Sequence, residues 1–212
     1  MINRVQYIEK IRPFYESDLI KVITGIRRCG KSVVLEQVKN ELAAQGKKII
    51  HLNFELRSVS SKIADDKELI NYIEEIIKTG DREKWYIFLD EVQSVKNWNL
   101  ACKSLRLGNT SIFITGSNSK LLSKEFTKEL SGRYVSFTIR PFVYKEIQEY
   151  AAELGKEVSI NDYLIYGGFP KRFEFPDRES MLRYLNDLDQ TIVLNDIINR
   201  YKIRKEEIFT KL

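Results

Sequence analysis

The 212-residue sequence contains few of the residues from which metal cages and disulfide frameworks are built. A single histidine, His51, excludes a site with several histidine ligands, and two cysteines, Cys29 and Cys102, are too few for a four-cysteine zinc site. Any metal site must therefore use oxygen ligands. His51 lies in an apolar segment, and we predict that it is a core residue rather than a catalytic one.

The sequence also lacks a long apolar run. No segment approaches the roughly 20 residues of a membrane helix, and the first residues, Met1–Arg4, continue into mixed polar sequence without the apolar stretch of a secretory leader. With 43% hydrophobic residues the chain can still bury a core, which excludes disorder as its main character. We therefore expect a cytoplasmic protein without membrane contact, and its net charge of +5 gives a mild preference for anionic ligands.

Strand-like and helical segments alternate along the first two thirds of the chain. Short apolar runs predict five strands, and apolar residues at helical spacing separate them. Parallel strands need crossover connections, so this alternation predicts an α/β fold with a parallel sheet flanked by helices. The predicted strands are Leu19–Thr24, Lys48–Leu56, Trp85–Leu89, Ser111–Thr115 and Tyr134–Ile139.

Helices are predicted around and after these strands. Pro13 should end or weaken the first of them, Arg4–Tyr15, and Leu121–Leu130 should form another. From Tyr144 onward the pattern is helical without further strands, which predicts a small helical appendage. Its segments are Tyr144–Leu154, Asp162–Tyr166 and Met181–Ile198, and the glycines Gly167 and Gly168 should form a left-handed turn after the second.

A phosphate-binding loop is predicted between the first strand and the following helix. The segment from Gly25 to Ser32 fits the G-x-x-x-x-G-K-[ST] pattern, in which backbone N–H groups and the positive end of a helix face a phosphate chain. Lys31 should reach the β- and γ-phosphates, and Ser32 should bind Mg²⁺. The alternative is a glycine turn that caps a helix. The candidate nucleotide contacts are Gly25, Ile26, Arg27, Arg28, Cys29, Gly30, Lys31, Ser32 and Val33.

An acidic pair follows the third predicted strand. Asp90 and Glu91 stand where open α/β folds bind ligands, at the carboxyl end of a buried strand. We expect Asp90 to hold Mg²⁺ and Glu91 to orient and polarise the water that attacks the γ-phosphate. A kinase has no need of such a water, so Glu91 favours hydrolysis.

Four further polar residues allow two interpretations each. Ser117, after the fourth strand, would contact the attacking water or γ-phosphate, or else cap a helix. Arg133, before the fifth strand, would be an arginine finger in cis or in trans, or else an exposed turn residue. Arg27 and Arg28 would contact phosphate or a nucleic-acid backbone, or else pair with surface acids.

Five motifs in this order resemble the prokaryotic family of AAA-type predicted ATPases whose ATPase domain precedes a C-terminal domain of unknown function. The resemblance implies Mg-ATP as ligand, a P-loop ATPase core over residues 1–142, and a helical lid with the start of a further C-terminal region over residues 143–212. Family members normally continue well beyond this length. The motifs are Thr24–Ser32, Phe88–Gln93, Ile114–Ser117, Leu130–Arg133 and Tyr166–Pro170.

Together these features predict an ATP-hydrolysing domain that couples its nucleotide state to a C-terminal partner domain. One alternative is a regulatory switch that binds ATP and hardly turns it over, and another is the ATPase module of a DNA-processing factor that contacts nucleic acid through the C-terminal domain. A homo-oligomer is expected if Arg133 acts in trans. No guanine-reading N-K-x-D motif is evident, which favours ATP.

Substitution of Lys31 tests the phosphate-binding loop. Lys31→Ala removes the ammonium group that neutralises the phosphates and leaves the sheet intact. ATP affinity should therefore fall sharply while the circular dichroism spectrum is unchanged. Equal affinity of the variant and the parent in calorimetric titrations would contradict the assignment.

Overall fold

The computed structural model describes residues 2–77, 83–116 and 129–192. Within these residues the chain forms two compact units. The sheet unit comprises residues 3–25, 30–77, 83–116 and 129–139, and the helical unit comprises residues 2, 26–29 and 140–192. No helix in the described ranges combines the length and the apolar character needed to cross a bilayer.

The sheet unit is built on five strands that are all parallel, which confirms the predicted α/β class. Their order across the sheet is β2-β3-β4-β1-β5. Each observed strand overlaps a predicted one, and β2 ends three residues earlier than predicted. The strands are β1 (Ile20–Gly25), β2 (Lys48–Asn53), β3 (Trp85–Asp90), β4 (Thr110–Thr115) and β5 (Tyr134–Ile139).

In the described part of the sheet unit, helices connect consecutive strands from β1 to β4, as parallel neighbours require. The first helix ends at Ile11 and continues as a 3₁₀ turn that contains Pro13, in agreement with the predicted effect of this proline. The predicted helix Leu121–Leu130 lies, except for its last two residues, outside the described residues. The helices of the sheet unit are α1 (Val5–Ile11), α2 (Lys31–Ala44), α3 (Arg57–Ser60), α4 (Asp66–Ile76) and α5 (Trp98–Leu105), with 3₁₀ turns at Arg12–Phe14 and Val92–Ser94.

The strand order decides which strands are buried. β1 and β4 lie inside the sheet, and all six residues of each are buried. β2 lies at an edge, where His51 is exposed and its Nδ1 is 3.9 Å from Glu36 Oε2. The prediction that His51 is a core residue is therefore wrong, because an apolar strand at a sheet edge is covered less completely than a central one.

The helical unit has its own small core. Ile147, Ala151 and Val158 are buried there, and aromatic side chains pack around them. Ser159 caps its second helix, with Asp162 N donating to Ser159 Oγ at 3.0 Å. The elements are α6 (Tyr144–Glu153), α7 (Ile160–Tyr166), a 3₁₀ turn at Pro170–Glu174 and α8 (Arg178–Ile192), and the rest of the predicted helix Met181–Ile198 lies outside the described residues.

The two adjacent glycines after α7 are required for different reasons. Gly167 has a φ of +68° and a ψ of −168°, so a glycine does turn the chain there, but in a positive-φ conformation outside the left-handed helical region that was predicted. At Gly168 the backbone of Phe142 approaches closely, and a Cβ atom would lie 1.9 Å from the Phe142 carbonyl oxygen. Phe142 N donates to Gly168 O at 2.9 Å, so this close approach holds the start of the unit to the turn.

A lysine is buried in the centre of the sheet unit. Lys21 on β1 is fully buried, and its Nζ donates to the carbonyl oxygens of Ser17 and Leu19 at 2.9 and 2.8 Å. A third hydrogen bond, of 2.8 Å, joins Nζ to Ser111 Oγ, and the centroid of the Phe113 ring lies 4.8 Å away. The polar end of this side chain is therefore satisfied inside the fold.

We predict that Lys21 makes the stability of the chain rise with pH. Burial, together with the charge of Lys84, lowers the pKa of Lys21 from 10.5 to about 7, against the opposing influence of Asp18 and Glu16. Between these two values the unfolded chain binds a proton that the folded chain does not, so a higher pH favours folding. In urea titrations, the free energy of unfolding of the parent minus that of Lys21→Met should increase between pH 7 and about pH 10.

The exposed Lys62 supplies the control for this measurement. The stability of Lys62→Met should change with pH as that of the parent does, because the substitution leaves the buried Lys21 in place. Parallel stability profiles for the parent and Lys21→Met would show that Lys21 keeps an ordinary pKa in the folded chain.

Candidate functional site

Three strand ends meet at the carboxyl edge of the sheet. β1 ends at Gly25, and the adjacent strand β4 ends at Thr115. β3, on the other side of β4, ends at Asp90. Ile23 pairs with Thr115 across β1 and β4. Because parallel strands share one carboxyl edge, the residues that follow these strands are brought together there.

The loop between β1 and α2 contains the predicted phosphate contacts. Arg28 has a φ of +62° and Gly30 a φ of +95°, so two left-handed residues turn the chain before the helix begins. Ile26 is half-buried, Cys29 is buried, and Arg27 and Arg28 are exposed. Contact of these residues with a nucleotide stays a prediction.

The first turn of α2 directs two predicted site residues toward the acidic pair. Lys31 is buried, with 6% of its surface exposed, and its Nζ lies 3.7 Å from Glu91 Oε1. Ser32 is exposed, and its Oγ donates to Asp90 Oδ1 at 3.1 Å. Val33, in the same turn, is half-buried. The fold therefore brings the lysine and serine of one motif to the two carboxylates of the other.

The Asp90 carboxylate is held from two sides. Besides the Ser32 hydrogen bond, Asp90 Oδ1 accepts a hydrogen bond from Thr115 Oγ1 at the end of β4. The backbone N of Glu91 donates to the same Thr115 hydroxyl at 3.0 Å. Thr115 thus fixes both acidic residues to the end of the neighbouring strand.

The oxygen atoms at this position fit a magnesium ion. No group of three or more histidine, cysteine or acidic side chains forms a metal cage in the described part of the chain. Ser32 Oγ and Asp90 Oδ1 nevertheless lie 3.1 Å apart and offer two oxygen ligands on one side. Mg²⁺ commonly takes one or two protein ligands and completes its shell with water and phosphate oxygens, so such a pair is sufficient.

An unexpected arginine packs against the phosphate-binding loop. Arg4 is fully buried, its N donates to Gln37 Oε1 at 3.0 Å, and its guanidinium lies 4.7 Å from the centroid of the Tyr7 ring. A Cβ atom on Gly30 would lie 3.3 Å from Arg4 Nη1. Gly30 therefore has two reasons to be glycine, its left-handed backbone and this tight contact.

Two further site residues are predicted, Ser117 and Arg133. Ser117 lies outside the described residues. Arg133 precedes β5, whose first residue, Tyr134, pairs with Ile20 at the start of β1, so Arg133 lies at the amino edge of the sheet, roughly 15–20 Å from the end of β1. Its Nη1 donates to Glu129 O at 3.2 Å. The chain does not bring Arg133 to its own phosphate-binding loop.

Three residues of the site have no counterpart in the sequence-based prediction. Arg4 looks like a surface residue before a helix, and no pattern in the sequence signals its burial. Thr115 and Gln93 lie inside two of the sequence motifs. Their positions close to the ends of predicted strands could have indicated that they belong to the site. Gln93 Nε2 donates to Glu91 Oε2.

The sequence matches a family model and curated proteins. A family model described as an AAA domain matches residues 17–148. An uncharacterized protein of Haemophilus influenzae is 37% identical over 219 residues, which cover 98% of this chain and 53% of that protein. An uncharacterized protein of Methanocaldococcus jannaschii is 33% identical over 199 residues, or 87% of this chain and 43% of that protein. The chain spans about half the length of these curated relatives.

Two solved structures are similar in fold. The replication initiator DnaA bound to AMPPCP and single-stranded DNA matches with a TM-score of 0.55 and 19% identity, covering 94% of this chain and 70% of that one. The ORC1 protein of Aeropyrum pernix in complex with DNA matches with a TM-score of 0.50 and 14% identity, covering 97% and 62%. At these identities the similarity concerns the fold.

Gly30→Ala should disturb the phosphate-binding loop, and Gly46→Ala is its matched control. Both glycines are left-handed, at φ +95° and +72°, but a Cβ atom meets Arg4 only at Gly30 and nothing within 4 Å at Gly46. Each variant should lose about 1–2 kcal/mol of unfolding free energy from backbone strain. Only Gly30→Ala should also weaken binding of a fluorescent ATP analogue, by about tenfold or more. Equal affinities for the two variants would contradict this.

Proposed function

This chain belongs to the AAA domain family, a family of nucleotide-binding ATPase modules, and we propose that it binds ATP with Mg²⁺ and hydrolyses it. The products of the reaction are ADP and inorganic phosphate. The energy of nucleotide binding and hydrolysis would be passed to the C-terminal domain that the family resemblance implies. The chain spans about half the length of its curated relatives.

One observation carries this proposal. The amino end of α2 places Lys31 Nζ 3.7 Å from Glu91 and Ser32 Oγ 3.1 Å from Asp90. A cation, a hydroxyl and two carboxylates are thus grouped where the dipole of a fourteen-residue helix favours an anion. A structural turn that merely caps a helix does not require a buried lysine or a pair of acids beside it.

The residues divide the chemistry between them. Lys31 and the loop N–H groups neutralise the phosphate chain, while Ser32 and Asp90 supply oxygen ligands for Mg²⁺. Glu91 orients a water molecule and takes one of its protons as the water oxygen bonds to the γ-phosphorus. The bond between that phosphorus and the β-γ bridging oxygen breaks, and its electron pair leaves with ADP.

The proposal includes two further kinds of partner. We include a homo-oligomer in the proposal because Arg133, at the amino edge of the sheet, could reach a nucleotide only from a neighbouring copy. Contact with DNA is a second possibility for the C-terminal region, suggested by the DNA-bound proteins that share the fold. The cytoplasm is the compartment we propose for this activity.

The ion pair between Lys31 and Glu91 favours a second candidate function. A carboxylate held by Lys31 is not available to a water molecule, which is the behaviour of a nucleotide-dependent switch with negligible turnover. Single-turnover measurements separate the two functions. Release of phosphate from bound ATP within minutes supports the ATPase, whereas intact bound ATP, with or without DNA, supports the switch.

Glu91→Gln should separate ATP binding from ATP hydrolysis. The substitution keeps the size of the side chain and removes its charge and basicity, so ATP affinity should persist. Turnover should fall by roughly 10²- to 10⁴-fold, or about 3 to 5 kcal/mol of barrier. The measurement is phosphate release at saturating Mg-ATP, with the exposed Glu74→Gln as the control that keeps parental turnover. Parental turnover by Glu91→Gln would remove Glu91 from the mechanism.

A further inference from the structure

A glutamine lies beside the carboxylate that the proposed reaction depends on. Gln93 belongs to the 3₁₀ turn Val92–Ser94 that follows β3, two residues after Glu91. Its Nε2 donates a hydrogen bond to Glu91 Oε2. The amide and the carboxylate are both attached to one short turn, so their relative position is set locally.

The two oxygens of the Glu91 carboxylate have different kinds of partner. Oε1 faces the Lys31 ammonium at 3.7 Å, whereas Oε2 accepts from the neutral Gln93 amide. A bound phosphate chain competes with Glu91 for Lys31, because it brings several negative charges to the same cation. The Gln93 hydrogen bond does not depend on that cation and can persist when Lys31 turns to the nucleotide.

The surrounding structure holds the backbone of Glu91 in an unfavourable conformation. Its φ and ψ of +53° and +44° are left-handed, which is unfavourable for a residue with a side chain. The Glu91 N–H is held by Thr115 Oγ1 at 3.0 Å, which fixes this conformation at the end of the strand. With the backbone fixed by Thr115, the side-chain direction is left to the partners of the carboxylate.

The other end of the Gln93 amide is not satisfied. Its Oε1 is buried and has no hydrogen-bond partner among the described residues. Rotating the amide by half a turn would place this oxygen against the Glu91 carboxylate, where two acceptors repel each other, so the observed orientation is the favourable one. A buried acceptor without a partner is unfavourable. The presence of this unfavourable group agrees with a functional role for the hydrogen bond that Nε2 donates.

We propose that Gln93 is the positioning residue of Glu91: its Nε2 holds the carboxylate in the direction needed to orient the attacking water after the phosphate chain has drawn Lys31 away. This inference rests on the proposed ATP hydrolysis and assigns no contact between Gln93 and the nucleotide. Loss of the amide should therefore change the rate of the chemical step and leave nucleotide binding unchanged.

Gln93→Met tests the proposal, because methionine has a similar length and cannot donate a hydrogen bond. We expect kcat for ATP to fall roughly 10- to 100-fold, the range for a lost hydrogen bond to a charged group, with KM and the Kd of a fluorescent ATP analogue within about threefold of the parent. The matched control is Gln45→Met, an exposed glutamine after α2, which should retain parental kcat. Thermal unfolding of both variants shows whether the fold is intact.

A double variant separates positioning from a general structural effect. If Gln93 acts through Glu91, then adding Gln93→Met to Glu91→Gln should lower kcat little further, since the carboxylate is already lost. A full additional loss in the double variant, or a loss of ATP affinity equal to the loss of kcat, would overturn the assignment. If Gln93→Met does not fold, Gln93→Leu replaces it, because it also removes the donor without adding a charge and should show a similar loss of kcat.

The parent chain distinguishes this inference from the function on which it rests. An active parent with unchanged kcat in Gln93→Met overturns the role of Gln93 alone. A parent without turnover, in single- and multiple-turnover assays, overturns ATP hydrolysis and the role of Gln93 together.

Discussion

The register of the three central parallel strands is the constraint on which the candidate site depends. β4 pairs with β1 at Ile23 and Thr115, and with β3 at Leu89 and Ile114, so that Thr115 and Asp90 end side by side. A slip of one residue would turn the Thr115 side chain to the opposite face of the sheet and break its hydrogen bond to Asp90. Burial of every residue in β4 opposes such a slip.

This register gives two adjacent acids different surroundings. Asp90 is the last residue of its strand and accepts hydrogen bonds from two hydroxyl groups, those of Ser32 and Thr115. Glu91 follows in a left-handed conformation that directs its carboxylate to Lys31 and Gln93. A change in backbone direction at one peptide therefore separates an oxygen ligand suited to Mg²⁺ from a carboxylate suited to a water molecule. Strained backbone of this kind is concentrated at functional sites.

The fold by itself supports less than the site does. Two proteins of 14% and 19% identity share this fold, and their structures contain DNA. One fold can carry many functions, so the evidence for a particular function comes from the arrangement of the site residues. In this chain, two motifs that are distant in sequence come into contact. Ser32 Oγ lies 3.1 Å from Asp90, and Lys31 Nζ lies 3.7 Å from Glu91.

The α/β class, the five strands and the two motifs could be predicted from the sequence, because apolar periodicity and glycine spacing are local properties of the chain. The strand order, and with it the exposure of His51 on an edge strand and the location of Arg133 at the amino edge, became known only from the three-dimensional structure. That structure also shows which residues support the site: Arg4 against Gly30, Thr115 between the two acids, and Gln93 on Glu91. These contacts either join segments that are distant in sequence or depend on one left-handed residue. Neither kind of contact leaves a periodic pattern in the sequence, so the sequence alone did not predict them.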